Sequence, residues 1–396
     1  MKKILALILA VLMALSLAAC GKTDGKDNNP NPHNDPNAAS EEYTVDTLTE
    51  AMGIGWNLGN TLDAPDGETS WGQPVTTKEM IDKIHELGFN TLRVPTSWGL
   101  HTSGAPDYVI DEEWMDRVEE VVNYGLENDM FVILNSHHDN DFYYPTKEHE
   151  DESVNFIEKI WTQIAERFKD YDQHLIFQPM NEPRLTGTNY EWWIDYNNQQ
   201  CLEALEVINA CNQKFVDVVR ASGGKNADRF LLAAAYCGSP YYSLEEPYQL
   251  PTDTVEGKML ISVHAYTPYN IAMNSDASFR TFGDSEKREI DDFMQKHYDK
   301  YRKNGVGVII DEMGIINKNN PYDRQDWAAY YIAKAKSLGM VCCWWDNGNT
   351  SPGNESYGLF DRNTLEIYED SLAPYRGLMD GLKTPLDEIK TSKPEE

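Results

Sequence analysis

Two glutamates in this chain stand in company suited to acid–base work. Glu182 lies between Asn181 and Pro183, just beyond an apolar run at 175–178, and Glu312 follows Asp311 at the end of another run at 306–310. Cleavage of a glycosidic bond needs a protonated carboxylic acid at the leaving oxygen and a carboxylate at the anomeric carbon, a task for two glutamates in opposed environments. Arg93 would keep one of them ionised while burial raises the other. The plainer alternative is a pair of structural acids. Against it stands the set of polar and aromatic residues at the ends of the other apolar runs: Asn57, Arg93, His137, His138, Tyr236, His264, Tyr266, Trp345 and Asp346.

The elements that must position these residues are legible as an alternation. Eight short apolar or β-branched runs, at 52–56, 90–94, 130–134, 175–178, 229–234, 258–263, 306–310 and 341–344, read as strands. Amphipathic segments lie between most of them. Thr76 and Glu79 form a predicted capping box ahead of Met80, Ile81, Ile84 and Leu87, with Gly88 as the stop. Further helices are predicted from Glu112, from Val154, over about 195–222, from Glu289 and from Asp323; the connection at 243–251 has room only for a short helix or loop. Strands alternating with helices imply parallel pairing through right-handed crossovers. Eight units in one domain, over residues 43–386, favour a closed (β/α)8 TIM barrel, an α/β fold whose chemistry sits at the C-terminal strand ends. The alternative is an open doubly wound sheet. It is disfavoured because the glycines of Gly53–Gly55 lead into a loop, Asn57 to Asp63, rather than into a helix that could cradle a phosphate.

Composition narrows the partners. The chain has 396 residues, 34 Lys plus Arg against 65 Asp plus Glu, and a formal charge of −31. Such a surface repels phosphate backbones and excludes a nucleic-acid partner, whereas neutral polymers are not repelled. Ten Trp and 22 Tyr supply flat apolar surfaces. Trp56, Trp71, Trp98, Trp192 and Trp193 fall in or beside loops at the predicted open face, where indoles stack on the CH-rich faces of sugars. Trp114, Trp161 and Trp327 sit at helical spacing and read as core.

The first nineteen residues, with Lys2 and Lys3 ahead of an apolar run, read as a secretory signal. Leu17-Ala18-Ala19-Cys20 is similar to the lipobox of bacterial lipoproteins, which implies lipidation at Cys20 and a chain held at the cell surface; ordinary cleavage and secretion is the alternative. Residues 20–42 read as a solvated tether rich in Asn, Pro, Asp and Gly, and 387–396 as a C-terminal tail. His33 stands alone in the tether without a partner at metal-ligand spacing. Cys201, Cys211, Cys237, Cys342 and Cys343 are odd in number and read as small core residues rather than a disulfide framework.

Leu175 to Pro183, with its Asn181-Glu182-Pro183, resembles the acid/base motif of glycoside hydrolase family 5, the retaining β-glycanases. Gly55 to Asp63, Trp71-Gly72, Phe89 to Pro95, Val132 to Asp139, His264 to Tyr266, Asp311 to Gly314 and Trp344 to Gly348 resemble that family in the same order, over about residues 44–382, and most closely its bacterial endoglucanases. The resemblance implies Glu182 as acid/base and Glu312 as nucleophile. It further implies Asn181 at the sugar 2-hydroxyl, Arg93 and Tyr266 beside the nucleophile, and His264 near the acid/base. His137 and His138 would line the subsite of the reacting sugar, Trp345 would form its floor, and Asn57 would belong to the same substrate-binding set. No cofactor and no metal are implied. A monomeric, internally cleaving enzyme of β-1,4-glucans such as cellulose, xyloglucan or mixed-linkage glucan is expected. Pro179 departs from the family pattern, in which a small or aliphatic residue is usual. Two other readings stay open: a β-mannanase, and a non-catalytic lipoprotein that captures glycans. A metal on His137, His138 and Asp139 is disfavoured because adjacent strand residues point to opposite faces.

Overall fold

The computed structural model describes residues 31, 33–35 and 41–393; the predicted leader, Cys20 and most of the tether lie outside the described residues. Eight parallel strands close into a ring in sequence order: β1 (Ile54–Leu58), β2 (Thr91–Val94), β3 (Phe131–Asn135), β4 (Leu175–Gln178), β5 (Leu231–Ala233), β6 (Met259–His264), β7 (Gly307–Met313) and β8 (Val341–Asp346). The helices, in chain order, are α1 (Val45–Met52), α2 (Lys78–Glu86), α3 (Glu112–Leu126), α4 (Glu150–Arg167), α5 (Gln199–Ala221), the single turn α6 (Tyr269–Ala272), α7 (Asp284–Lys300), α8 (Pro321–Ser337) and α9 (Leu372–Lys383). The closed barrel is therefore the fold, and the open sheet is excluded. Between β5 and β6 there are only two short 3-10 turns, as the length of that connection required.

The core has two parts. Outside the ring, the helices bury apolar stripes such as Met80, Ile81 and Ile84 or Phe156, Ile157, Ile160 and Ile164 against the strands. Inside the ring, Ile133, Ile176, Leu232, Leu260, Ile309, Val341 and Cys343 fill the lower layers, and Val45, Leu48 and Met52 of α1 close the bottom. Helix α1 has no counterpart in the sequence reading. Its capping box uses Thr44 and Thr47, and its apolar face has only three residues, too brief a period to stand out.

Local boundaries shift elsewhere. The N-cap of α2 is Thr77, whose hydroxyl accepts from Met80 N, rather than Thr76. Helix α7 starts five residues earlier than expected because Glu286 accepts from Gly283 N at 2.9 Å and caps it. β4 stops at Gln178, immediately before Pro179, which has no N–H to continue the ladder. The five cysteines are free and buried.

The described residues flanking the barrel make specific contacts with it. Among the described residues of the predicted tether, Asn34 pairs with Tyr171 and His33 is buried at 6% exposure against the bottom of the barrel. In the tail, Thr391 donates to Asp326 at 2.6 Å and Lys393 pairs with Asp323, which ties it to α8.

Candidate active site

Above the apolar layers of the barrel lies a polar layer centred on Arg93, which is fully buried. Its Nη1 donates to Asn57 Oδ1 at 2.9 Å and Glu312 Oε1 at 2.8 Å; Nη2 donates to Asn181 Oδ1 at 2.7 Å and Gln178 Oε1 at 3.0 Å. Nε lies 3.3 Å from Asp311 Oδ2. The guanidinium thus links strands β1, β2, β4 and β7, and its planar fork suits several acceptors at once. Asn57 is equally buried: its amide donates to the carbonyls of Asp311 and Trp344. Arg93 therefore stands beside Glu312, as the resemblance implied, and Asn57 and Arg93 both brace the polar layer from below rather than facing the mouth.

Two consecutive residues of β7 both face into the barrel, against the alternation of a regular strand. Ser262 pairs with Ile309, but two residues later His264 pairs with Glu312; on the other side Cys342 pairs with Ile310, but Trp344 with Met313. One extra residue is inserted in β7, a bulge that re-aims its side chains. Asp311 consequently accepts from Ser262 Oγ at 2.7 Å and Gln178 Nε2 at 2.7 Å, while Glu312 stands one step higher toward the mouth.

Glu182 and Glu312 meet over His264. His264 Nδ1 lies 2.8 Å from Glu182 Oε1 and 3.5 Å from Glu312 Oε2, and one oxygen of each glutamate lies within 4.8 Å of the other. Tyr266 donates to Glu312 Oε2 at 3.0 Å, so Arg93 and Tyr266 between them hold both oxygens of Glu312. Asn181 has its oxygen committed to Arg93, which turns its amide nitrogen away from the guanidinium. Gly238, at φ +60, packs beneath the imidazole; a Cβ there would come within 2.6 Å of His264 Cγ.

The charge balance is set by burial and by these neighbours. Burial alone would lower the His264 pKa, but the carboxylates of Glu312, Asp311 and Glu182 outweigh it and push the imidazole up to about 10. Burial raises Glu182, yet the hydrogen bond and charge of His264 leave it below the usual glutamate range. Burial also raises Glu312, and although His264 and Arg93 oppose this, the nearby Glu182 and Asp311 charges leave it above that range. Asp311 is held at about 2, because the charges of Arg93 and His264 overcome its burial. The surrounding carboxylates thus favour the charged form of His264, whose Nδ1 faces Glu182.

A stability consequence follows with a definite sign. A histidine whose pKa is raised by folding stabilises the fold fully below its unfolded value near 6.5 and loses that contribution as pH rises through about 10. Denaturant midpoints are expected to fall across that interval, and His264→Asn should flatten the slope. An unchanged slope in the variant would show that His264 is neutral in the fold.

The two histidines after β3 sit in the loop beyond the strand, so both rings lie on one side, 4.5 Å apart, and not on opposite faces as strand alternation predicted. Asn135 Oδ1 accepts from Thr96 N, which leaves its Nδ2 to donate to His137 Nδ1 at 3.1 Å; His137 therefore carries its hydrogen on Nε2. Burial keeps His137 well below its ordinary value and His138 at about 4, so both are neutral donors. His137 lies parallel to Trp345 at 5.6 Å, and Trp71 leans on His138 at 5.3 Å. Gly59 leaves room for the Trp345 ring.

Trp71, Trp192 and Trp193 are exposed beside this mouth, but Trp56 and Trp98 are fully buried. Trp56 Nε1 donates to Asp346 and Trp98 Nε1 to Asn135 O, so these two are core braces rather than platforms. Trp114, Trp161 and Trp327 are core, as their spacing indicated. Arg184 escaped the sequence reading. It lies 3.6 Å from Glu182 Oε2 and stacks over Trp192 at 4.3 Å; its place two residues after Glu182 was the available signal.

A parallel barrel with two close carboxylates in a mouth of neutral donors and exposed indoles has the equipment of a glycosidase. A family model, cellulase (glycosyl hydrolase family 5), matches residues 57–351. Endoglucanase A of Ruminococcus albus is 43% identical over 334 residues, spanning 82% of this chain and 90% of that protein. A solved family 5 lichenase from Caldicellulosiruptor sp. F32, a mutant in complex with cellotetraose, has a TM-score of 0.81 at 41% identity, covering 86% of this chain and 96% of that one. A GH5-4 broad specificity endoglucanase from Ruminococcus champanellensis with bound cellotriose is 44% identical, with a TM-score of 0.79 and coverage of 86% and 100%. The chain belongs to glycosyl hydrolase family 5, the cellulase family.

Proposed function

We propose that this protein is an endo-acting β-1,4-glucanase that works by double displacement, with Glu312 as nucleophile and Glu182 as acid/base. The observation that carries the mechanism is the short reach between the two carboxylates. Retaining enzymes hold them about 5–5.5 Å apart, because no water needs to fit between acid and attacking group, whereas inverting enzymes need about 6.5–9.5 Å. Arg93 and Tyr266 aim Glu312 at the anomeric carbon. Glu182 takes the His264 proton across the 2.8 Å contact as a leaving oxygen approaches, then gives it up. In the second half Glu182 removes a proton from water as the water oxygen bonds to the anomeric carbon and displaces the Glu312 carboxylate, and that proton returns to His264. Asn181 Nδ2 donates to the 2-hydroxyl, where the bond tightens in the transition state. His137 and His138 donate to neighbouring hydroxyls, and Trp345 forms the floor under the reacting sugar.

The acid/base assignment has its own test. Glu182→Ala should slow oligosaccharide hydrolysis by roughly 10²–10⁴-fold, while aryl glycosides with good leaving groups retain far more of their rate in the glycosylation step. Equal slowing on both would remove Glu182 from this role.

The substrate is a β-1,4-glucan. The names of the relatives speak for glucans over mannan, and the presence of both carboxylates speaks against a capture protein. Carboxymethyl cellulose, xyloglucan, lichenan and mannan assayed side by side, with product sizes recorded, test this reading; hydrolysis of mannan alone would sink it. The leader and lipobox support export and lipidation at Cys20, with the enzyme displayed as a monomer on the cell surface. Incorporation of labelled palmitate, lost in Cys20→Ser, is the expected result.

A further inference from the structure

Four side chains converge at the end of the barrel opposite the mouth, and the hydrolytic reaction uses none of them. Asp129 precedes β3, Asp172 and His174 precede β4, and His33 arrives from the N-terminal segment. His33 is placed by backbone contacts: Asp172 N donates to its carbonyl at 2.9 Å, and Asn34 pairs with Tyr171. Both imidazoles are 6% exposed. Asp172 Oδ2 lies 2.9 Å from His33 Nδ1, and its Oδ1 lies 3.1 Å from His174 Nδ1. An ionised carboxylate only accepts, so both Nδ1 atoms carry hydrogens and each ring is left to act through Nε2. These Nε2 atoms lie 3.1 and 4.0 Å from the same oxygen, Asp129 Oδ1. One nitrogen of each ring and one oxygen of Asp129 lie within 4.8 Å of one another.

We propose that His33, His174 and Asp129 bind a divalent transition metal, with Zn²⁺ the best match, and that the ion fastens the N-terminal segment to the floor of the barrel. Zinc bonds of about 2.0–2.1 Å in a tetrahedron set neighbouring ligand atoms roughly 3.3 Å apart. The observed spacings bracket that value. The Asp129 side chain, 84% exposed, can rotate to close the longer one. Two imidazoles and one carboxylate suit zinc, cobalt or nickel and not calcium or magnesium, which take oxygen ligands. Asp172 supplies the carboxylate that fixes both ligating rings through their other nitrogens. Tyr43 stands beside the set, its hydroxyl 3.4 Å from His174 Nε2. Sequence spacing could not show this set, because its members come from three separate connections.

The test uses the purified protein, stripped with a chelator and titrated calorimetrically with ZnCl₂, with MgCl₂ and CaCl₂ as controls. One zinc per chain is expected. His33→Ala and Asp129→Asn should each weaken it at least tenfold, and a tetrahedral Co²⁺ absorption band should appear in the parent protein and not in the variants. Zinc should raise the unfolding temperature of the parent alone, and one equivalent should leave glucan hydrolysis unchanged. Absence of zinc binding, parental affinity in Asp129→Asn, or binding that inhibits hydrolysis by occupying Glu182, His264 and Glu312 would each overturn the proposal; the first would leave a simple ion pair between His33 and the two aspartates.

Discussion

Glu312→Gln is expected to lower kcat on glucans by on the order of 10⁴-fold or more while leaving the fold intact. The amide keeps the size of the carboxyl, and its oxygen can still accept from Arg93, so the polar layer beneath stays assembled. What is lost is the nucleophilic charge, and with it the covalent glycosyl intermediate. Glu312→Ala makes the assignment positive rather than merely negative. The vacated space admits azide, which attacks an activated glycoside from the nucleophile's side and gives a product of inverted configuration. Appreciable turnover in Glu312→Gln, or azide rescue with retained configuration, would move the nucleophile elsewhere.

Arg93→Met should cost roughly 3–5 kcal/mol of stability and most of the activity together. The side chain is buried with two carboxylates around it, at 2.8 Å from Glu312 and 3.3 Å from Asp311. Removing the cation leaves both uncompensated, and His264 is the remaining positive group within reach. Asp311, now held at about 2, contributes stability above its ordinary value of 3.8 that is lost as pH falls through about 2. Without Arg93 that contribution shrinks, so the variant should also be relatively less stable at neutral pH than in acid, where the carboxylates are protonated. Arg93→Lys restores charge but not the planar fork, and should recover stability more than kcat. Denaturant melts at pH 7 and pH 4, with kcat measured alongside, check these expectations, and a parental midpoint for Arg93→Met at pH 7 would refute the brace.

Much of the site could be read from the order of strands alone. Once eight runs are assigned to one barrel, residues at their C-terminal ends must share a rim, and Asn181, Glu182, His264, Tyr266, Glu312 and Trp345 fall there by counting. The same counting could not tell rim from floor. Asn57 and Arg93 also end strands, yet they are buried beneath Glu312 because their side chains point inward one layer lower. Trp56 and Trp98 lie near loops but turn their indoles into the core, where Asp346 and the Asn135 carbonyl receive their N–H groups. His137 and His138 escape strand alternation because β3 has already ended at Asn135.

The sequence by itself determined the barrel and the family and singled out the two glutamates as candidates, because hydrophobic period, strand order and short motifs are local and survive without knowledge of contacts. Tertiary structure alone decided how these residues stand toward one another. The bulge in β7 turns Asp311 and Glu312 to the same side, His264 sits between two carboxylates, and His33 finds Asp129, Asp172 and His174 on two distant connections. Charge, burial and proton position depend on distances across the ring, and those are fixed only when the ring closes.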